Sequence, residues 1–181
     1  MEPPYSPAVD AQLQRMMPEG VPPIALFRTF VRNLPMTEAM GTWGAYELGR
    51  KLSLSMRDRE IVIDRTCARC GCEYEWGVHV AFFAERVGLD RDQVASLTVG
   101  SAEDGCWVDG RDRLLIRAVD ALHDTGDIED PLWAALSEEL SDANLLDLLF
   151  LSGWYHAISF VGRAARVPLE VGAPTFGSVA P

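Results

Sequence analysis

The chain has 181 residues, 48% hydrophobic and 24% charged, and a net charge of −11 at pH 7. That length supports one domain with a full core, and the composition is that of a globular rather than a disordered chain. With 27 acidic residues against 16 basic ones, Lys51 as the single lysine, and arginines that mostly sit beside acids, the sequence lacks the basic patch that a nucleic-acid or anionic-membrane surface requires.

Residues 1–23 are proline-rich and read as an extended arm, the domain proper as 24–170, and 171–181 as a loose tail. The first residues carry neither a basic stretch nor an apolar run of the kind a secretory leader has. Leu26, Phe27, Phe30, Val31 and Leu34 recur at helical spacing, with Pro35 expected to end that helix. Thr37 is expected to cap the next helix, which runs to about Leu52 with Met40, Trp43 and Leu48 inward. Ser55 and Asp58 form a capping-box pattern ahead of a third helix, and Gly71 is its stop. The β-branched run Ile61-Val62-Ile63 could be a strand, but no second strand exists to pair with it, so helix is the better reading.

A fourth helix starts near Cys72, with Trp76, Val80, Phe83 and Val87 as a core stripe and Gly88 as its end. Asp90 and Gln93 open a short helix that stops by Gly100. A Gly/Ser/Asp-rich loop follows, then a helix carrying Leu115, Val119 and Leu122 that ends near residue 126. Asp130-Pro131 opens another, with Trp133, Leu136 and Leu140 behind it. Ser141 opens the last and most apolar helix. Within it, residues 145–161 are interrupted by Asp147, Ser152, His156 and Ser159, which points to a buried core helix rather than a membrane span. The sum is an all-α single domain of seven or eight helices.

Four cysteines are present, and Cys67, Cys70 and Cys72 fall within six residues. That layout is poor for stapling a secreted fold, and a cytoplasmic location is the expectation. Cys72, Glu75 and His79 stand at i, i+3 and i+7, on one helix face. Cys72 lies at the helix N-terminus, where the dipole favours a thiolate. Glu75 next to His79 raises the imidazole pKa and orients the ring. Glu60 and Cys67 share a face of the preceding helix, and if the two helices fold back at Gly71, Glu60 reaches His79. The product is a Glu–His–Glu relay with a thiol at its edge, suited to acid–base work. The plainer reading of the same spacing is a solvated Glu–His pair and a small buried cysteine.

The Cys67-Ala-Arg-Cys70 pair lies within a helix, without the N-terminal dipole that activates redox thiols. Cys67, Cys70, Cys72 and His79 fit no structural-zinc spacing, so neither a metal nor another cofactor is expected. His123 ends a helix and reads as structural. His156 reads as a core histidine, with Tyr74, Tyr155 and His156 as pocket candidates.

Residues 57–79, with Glu60, eleven residues, Cys72, two residues, Glu75, three residues and His79, resemble the carboxymuconolactone decarboxylase / alkylhydroperoxidase D-like (AhpD-like) family. The segments beginning Pro22-Pro23-Ile24 and Ala118-Val119-Asp120 resemble it too, so the likeness spans roughly residues 22–170. It implies an AhpD-like helical fold and a homo-oligomer, whether dimer, trimer or hexamer. It also implies a small-molecule substrate, with no nucleic-acid or membrane partner. The redox branch of that family carries a second cysteine where this chain has Glu75. The expectation is therefore cofactor-free lyase- or isomerase-type chemistry on a small organic acid or lactone. His79 would be the acid/base, Glu60 its partner and Glu75 a second acid/base, with Cys72 at the edge. The alternative is a thiol-dependent peroxidase using Cys72 with Cys70 or Cys67. A third reading is a non-catalytic, ligand-binding oligomer.

Overall fold

A computed structural model describes residues 2–179. Among these, ten α-helices and two short 3-10 turns occur and no strand. The helices are α1 (Pro7–Met16), α2 (Ala25–Phe30), α3 (Leu34–Glu47), α4 (Met56–Arg69), α5 (Glu73–Phe83), α6 (Arg91–Val99), α7 (Gly110–Thr125), α8 (Asp130–Glu139), α9 (Asp142–Ala164) and α10 (Phe176–Val179).

α4 is the hub, packed by α5, α6, α7 and α9. This burial on every side explains the Ile61-Val62-Ile63 run, since all three side chains are fully enclosed. Burial extends without a gap from Asp58 to Cys67, so the charged members of α4 need partners. Asp58 pairs with Arg111 at 2.8 Å, and Arg65 grips Asp120 at 2.7 and 2.8 Å. Arginines also close helix ends that would otherwise leave carbonyls unpaired. Arg65 Nη1 donates to the carbonyls of Leu97 and Gly100, and Arg57 to those of Val87 and Gly88. Arg163 donates to the Cys70 carbonyl.

The local signals act as expected at most helix ends. Ser55/Asp58, Asp90/Gln93 and Ser141/Asn144 form reciprocal capping boxes. Gly71, Gly88 and Gly126 adopt positive φ at +65°, +68° and +73°, the left-handed region in which a β-carbon is strained.

Several expectations are corrected. The arm is not extended throughout. Ser6 caps α1, with Pro7 at its start, and Val9 and Leu13 pack on Val31 in a small satellite core. Pro35 does not stop a helix but lies in the first turn of α3, where its missing N–H costs nothing, and Asn33 is the cap. Thr37 is buried inside α3 and donates to the Asn33 carbonyl. Trp43, Leu48 and Trp133 are exposed rather than inward.

The tail is docked through residue 179. Glu170 accepts from the Ala25 N–H and the Tyr74 hydroxyl, Glu73 accepts from the Phe176 N–H, and Phe176 packs edge-on against Trp76. Gly77 admits this segment, because a β-carbon there would lie 2.6 Å from the Pro174 carbonyl oxygen.

α9 is long and apolar enough, by length and composition, to cross a membrane. In this fold one face packs on α4 and α5, with Leu148, Leu151, Tyr155 and Ile158 buried. Asp147 on that helix accepts from the Tyr46 hydroxyl and the Ser53 N–H, both at 2.6 Å.

Candidate active site between α4, α5 and α9

The turn at Gly71 folds α5 back along α4 and brings Glu60 to His79. Glu60 Oε2 lies 2.7 Å from His79 Nδ1. Its other oxygen accepts from Arg59 at 2.7 Å, and both carboxylate and guanidinium are buried. On the opposite side of the ring, His79 Nε2 lies 3.1 Å from the Tyr155 hydroxyl on α9 and 3.6 Å from Glu75 Oε1. Tyr155 meets the imidazole edge-on, and half-buried Phe83 lies against it. Arg59 also sits over the Phe83 ring, a cation–π contact that closes the outer side.

His79 is 3% exposed. Burial pushes its pKa down, but the charge and hydrogen bond of Glu60, joined by Glu75, overcome that and hold it at about 10. The ring is therefore an imidazolium at neutral pH. Nδ1–H donates to Glu60, and Nε2–H is directed at the Tyr155 oxygen and Glu75. Burial keeps the Tyr155 phenol protonated, helped by the charges of Glu75 and Glu60.

Asp64, one turn beyond Glu60 on α4, is enclosed with neither carboxylate oxygen hydrogen-bonded. Burial, then the Glu60 charge, pushes its pKa well up. Glu75 Oε2 is likewise buried without a hydrogen-bond partner. The array thus holds an imidazolium, a phenol, and buried carboxyl oxygens of Asp64 and Glu75 without hydrogen-bond partners.

The thiols stand apart from the imidazole. Cys67 and Cys72 are buried, and burial raises both pKa values. The thiolate expected of Cys72 at the helix start is thereby corrected. Cys72 does stand at the N-cap of α5, but loss of water outweighs the help it receives from the backbone there. The Ser159 hydroxyl on α9 lies 4.0 Å from Cys67 Sγ and also interacts with Cys70 and Cys72. Gly162 permits this approach of α9, since a β-carbon there would come 2.8 Å from Cys72 Sγ.

Two pocket candidates face elsewhere. Tyr74 donates to Glu170 and accepts from the Leu26 N–H, so its hydroxyl fixes the tail rather than lining the site. His156 lies with His123 and Cys70 in a separate cluster, in which His123 Nδ1 is 3.1 Å from His156 Nε2 and 3.9 Å from Cys70 Sγ.

Sequence reasoning passed over Arg59 and Asp64. Both flank the Ile61-Val62-Ile63 run, and charges bracketing an enclosed apolar run on a helix are the signal that they are buried too.

The fold and this array define a single-domain all-helical protein with a cluster of ionisable side chains buried among three helices. Residues 36–122, from α3 into α7, match the model of the carboxymuconolactone decarboxylase family, a stretch that includes Glu60, Cys72, Glu75 and His79. Among solved structures, the chain is similar to an uncharacterized peroxidase-related protein from Silicibacter sp. TM1040. The TM-score is 0.71 at 18% identity, over 83% of this chain and 78% of that one, a likeness of fold. No curated protein matches the chain.

Proposed function

We propose that the protein is a cofactor-free enzyme of proton transfer, of the lyase or isomerase type, acting on a small organic acid or lactone. The observation that carries this reading is the His79 ring. Glu60 engages one nitrogen, Tyr155 and Glu75 face the other, and no thiol contacts either. An imidazolium with its Nε2–H directed away from Glu60 is a proton donor to a substrate oxygen or carbon. Glu75, with one oxygen free, is the acceptor of a substrate proton. A substrate carboxylate or developing enolate would be stabilised by the imidazolium and the Tyr155 hydroxyl.

The test is turnover of a panel of unsaturated lactones and β-keto acids. His79→Ala and Glu75→Gln should lower the rate by about 10²–10⁴-fold, while Cys72→Ser should leave it largely intact. A rate indifferent to His79→Ala would refute the reading.

A second reading, thiol-dependent reduction of a hydroperoxide, is favoured by two observations. The similar structure is described as peroxidase-related, and Cys67, Cys70 and Cys72 gather around the Ser159 hydroxyl. Two thiols would give up two electrons and become a disulfide, the peroxide would leave as alcohol and water, and an external dithiol would restore the pair. Against it stands the burial that raises all three thiol pKa values. Sustained, reductant-coupled peroxide turnover that vanishes in Cys72→Ser and survives in Glu75→Gln would establish it and displace the first.

We also propose that the chain works as a homo-oligomer. Support comes from the uncovered face of α9, where Leu146, Phe150 and Phe160 are exposed. Beside them, Trp43 and Phe150 line a shallow apolar groove of about 570 Å³. Light scattering at micromolar concentration should give a multiple of 20.0 kDa.

A further inference from the structure

Outside the His79 array, three side chains from three helices converge at one end of the bundle. Cys70 stands at the C-terminal end of α4, His123 in the last turn of α7 and His156 midway along α9. Their ligand atoms, Cys70 Sγ, His123 Nδ1 and His156 Nε2, all lie within 4.8 Å of one another. Two of the separations are 3.9 Å (sulfur to His123) and 3.1 Å (nitrogen to nitrogen). A tetrahedral zinc ion, with metal–sulfur about 2.3 Å and metal–nitrogen about 2.0–2.1 Å, sets its ligand atoms about 3.3–3.6 Å apart. The two separations that involve His123 are thus within a few tenths of an ångström of those values, and side-chain rotation closes the third around an ion.

The rings are also correctly set. His156 Nδ1–H donates to the Ser152 carbonyl at 2.8 Å. That bond fixes the tautomer and leaves the Nε2 lone pair aimed into the cluster, as the outer bond of a metal-bound histidine does. His123 Nδ1 must then donate to His156 Nε2 when no ion is bound, so a single shared proton occupies the place of the metal.

We propose that Cys70, His123 and His156 form a zinc-binding site with a fourth position open to water or a small ligand. One thiolate and two neutral imidazoles suit zinc. Binding expels the thiol proton and shifts the His123 proton from Nδ1 to Nε2 by exchange with solvent, so both imidazoles stay neutral and the thiolate is the one charged ligand. The surrounding charge is mixed. Arg163 and Arg69 lie near the thiol and favour its ionised form, while Asp120 and Asp124 lie near His123 and offset the ion's charge. Cys70 is buried and the two histidines are partly open to solvent, which gives an ion a route in. The site ties the ends of α4 and α7 to α9, so occupancy should raise the unfolding temperature as well.

The experiment titrates the chelator-stripped full-length protein with zinc chloride by calorimetry and, in parallel, with cobalt(II) by absorption. Expected are one saturable ion per chain at micromolar metal, a thiolate-to-cobalt charge-transfer band, and a zinc-dependent rise in melting temperature. Cys70→Ser and His156→Ala should each weaken zinc binding on the order of 100-fold or more and abolish or distort the cobalt spectrum. Cys106→Ser should change neither. Circular dichroism monitors the fold of each variant, and the cobalt band of the unmutated chain reports thiolate ligation should a variant misfold. The proposal is overturned if no saturable binding occurs at micromolar zinc, if cobalt binds without the thiolate band, or if binding persists undiminished in folded Cys70→Ser.

Discussion

Replacing Glu60 by Gln keeps the shape of the side chain and removes the charge on which the state of His79 depends. Holding that ring at about 10 rather than 6.5 corresponds to about 5 kcal/mol in favour of the imidazolium. Glu60 supplies most of the upward pull through its charge and its 2.7 Å hydrogen bond, working against burial. An opposite charge in direct contact is worth about 1–3 pH units, so Glu60→Gln should bring the midpoint to about 7–9, with Glu75 still assisting. Ring-nitrogen NMR is a direct assay, because the chain has three histidines to resolve. The native His79 signal should remain that of an imidazolium from pH 5 to beyond 8, whereas the variant's should titrate within the accessible range.

The sign for stability follows. A histidine whose folded pKa is raised contributes stability that is fully present below 6.5 and is lost as pH rises through about 10. Glu60→Gln should flatten that fall. It also strips Arg59 of its carboxylate in a buried place, at a cost of about 3–5 kcal/mol at neutral pH. A native His79 that titrates between pH 5 and 7, or a variant ring that stays an imidazolium to pH 9, would refute the reasoning.

Other outcomes test the packing around this centre. Gly162→Ala should destabilise by about 1–3 kcal/mol, because the new methyl meets Cys72 Sγ at 2.8 Å. Cys72→Ala in that background should recover part of the loss in thermal melts, and no recovery would place the clash elsewhere. Arg65→Met should cost about 1–3 kcal/mol in urea unfolding, since it leaves the carbonyls at the end of α6 without their donor and Asp120 with only its longer contact to Arg69. Burial, then the Asp147 charge, raises the pKa of Glu47 to about 7. Its stabilising contribution is complete below 4.5 and fades as pH rises through 7, so Glu47→Gln should remove that part of the pH dependence in denaturant titrations.

What the sequence determined by itself was local. Ser55, Asp90 and Ser141 with their partners three residues on, and the glycines at 71, 88 and 126, set helix ends because capping and left-handed turns depend on a few adjacent residues. The positions of Glu60, Glu75 and His79 were legible for a related reason, since two lie four apart on one helix and the third is reached across a single glycine turn.

Burial was less legible. Trp43, Leu48 and Trp133 have the same apolar chemistry as core residues, and only the packing of neighbouring helices decides that they face outward. Arg59 and Asp64 are charged, and nothing local indicates that α4 is surrounded on every side. The tertiary structure alone turned the expected thiolate of Cys72 into a buried thiol, because desolvation depends on what α9 covers. It alone brought His123 and His156 to Cys70, across 53 and 86 residues of chain, because a contact at that separation is made by helices crossing in space and leaves no spacing to read.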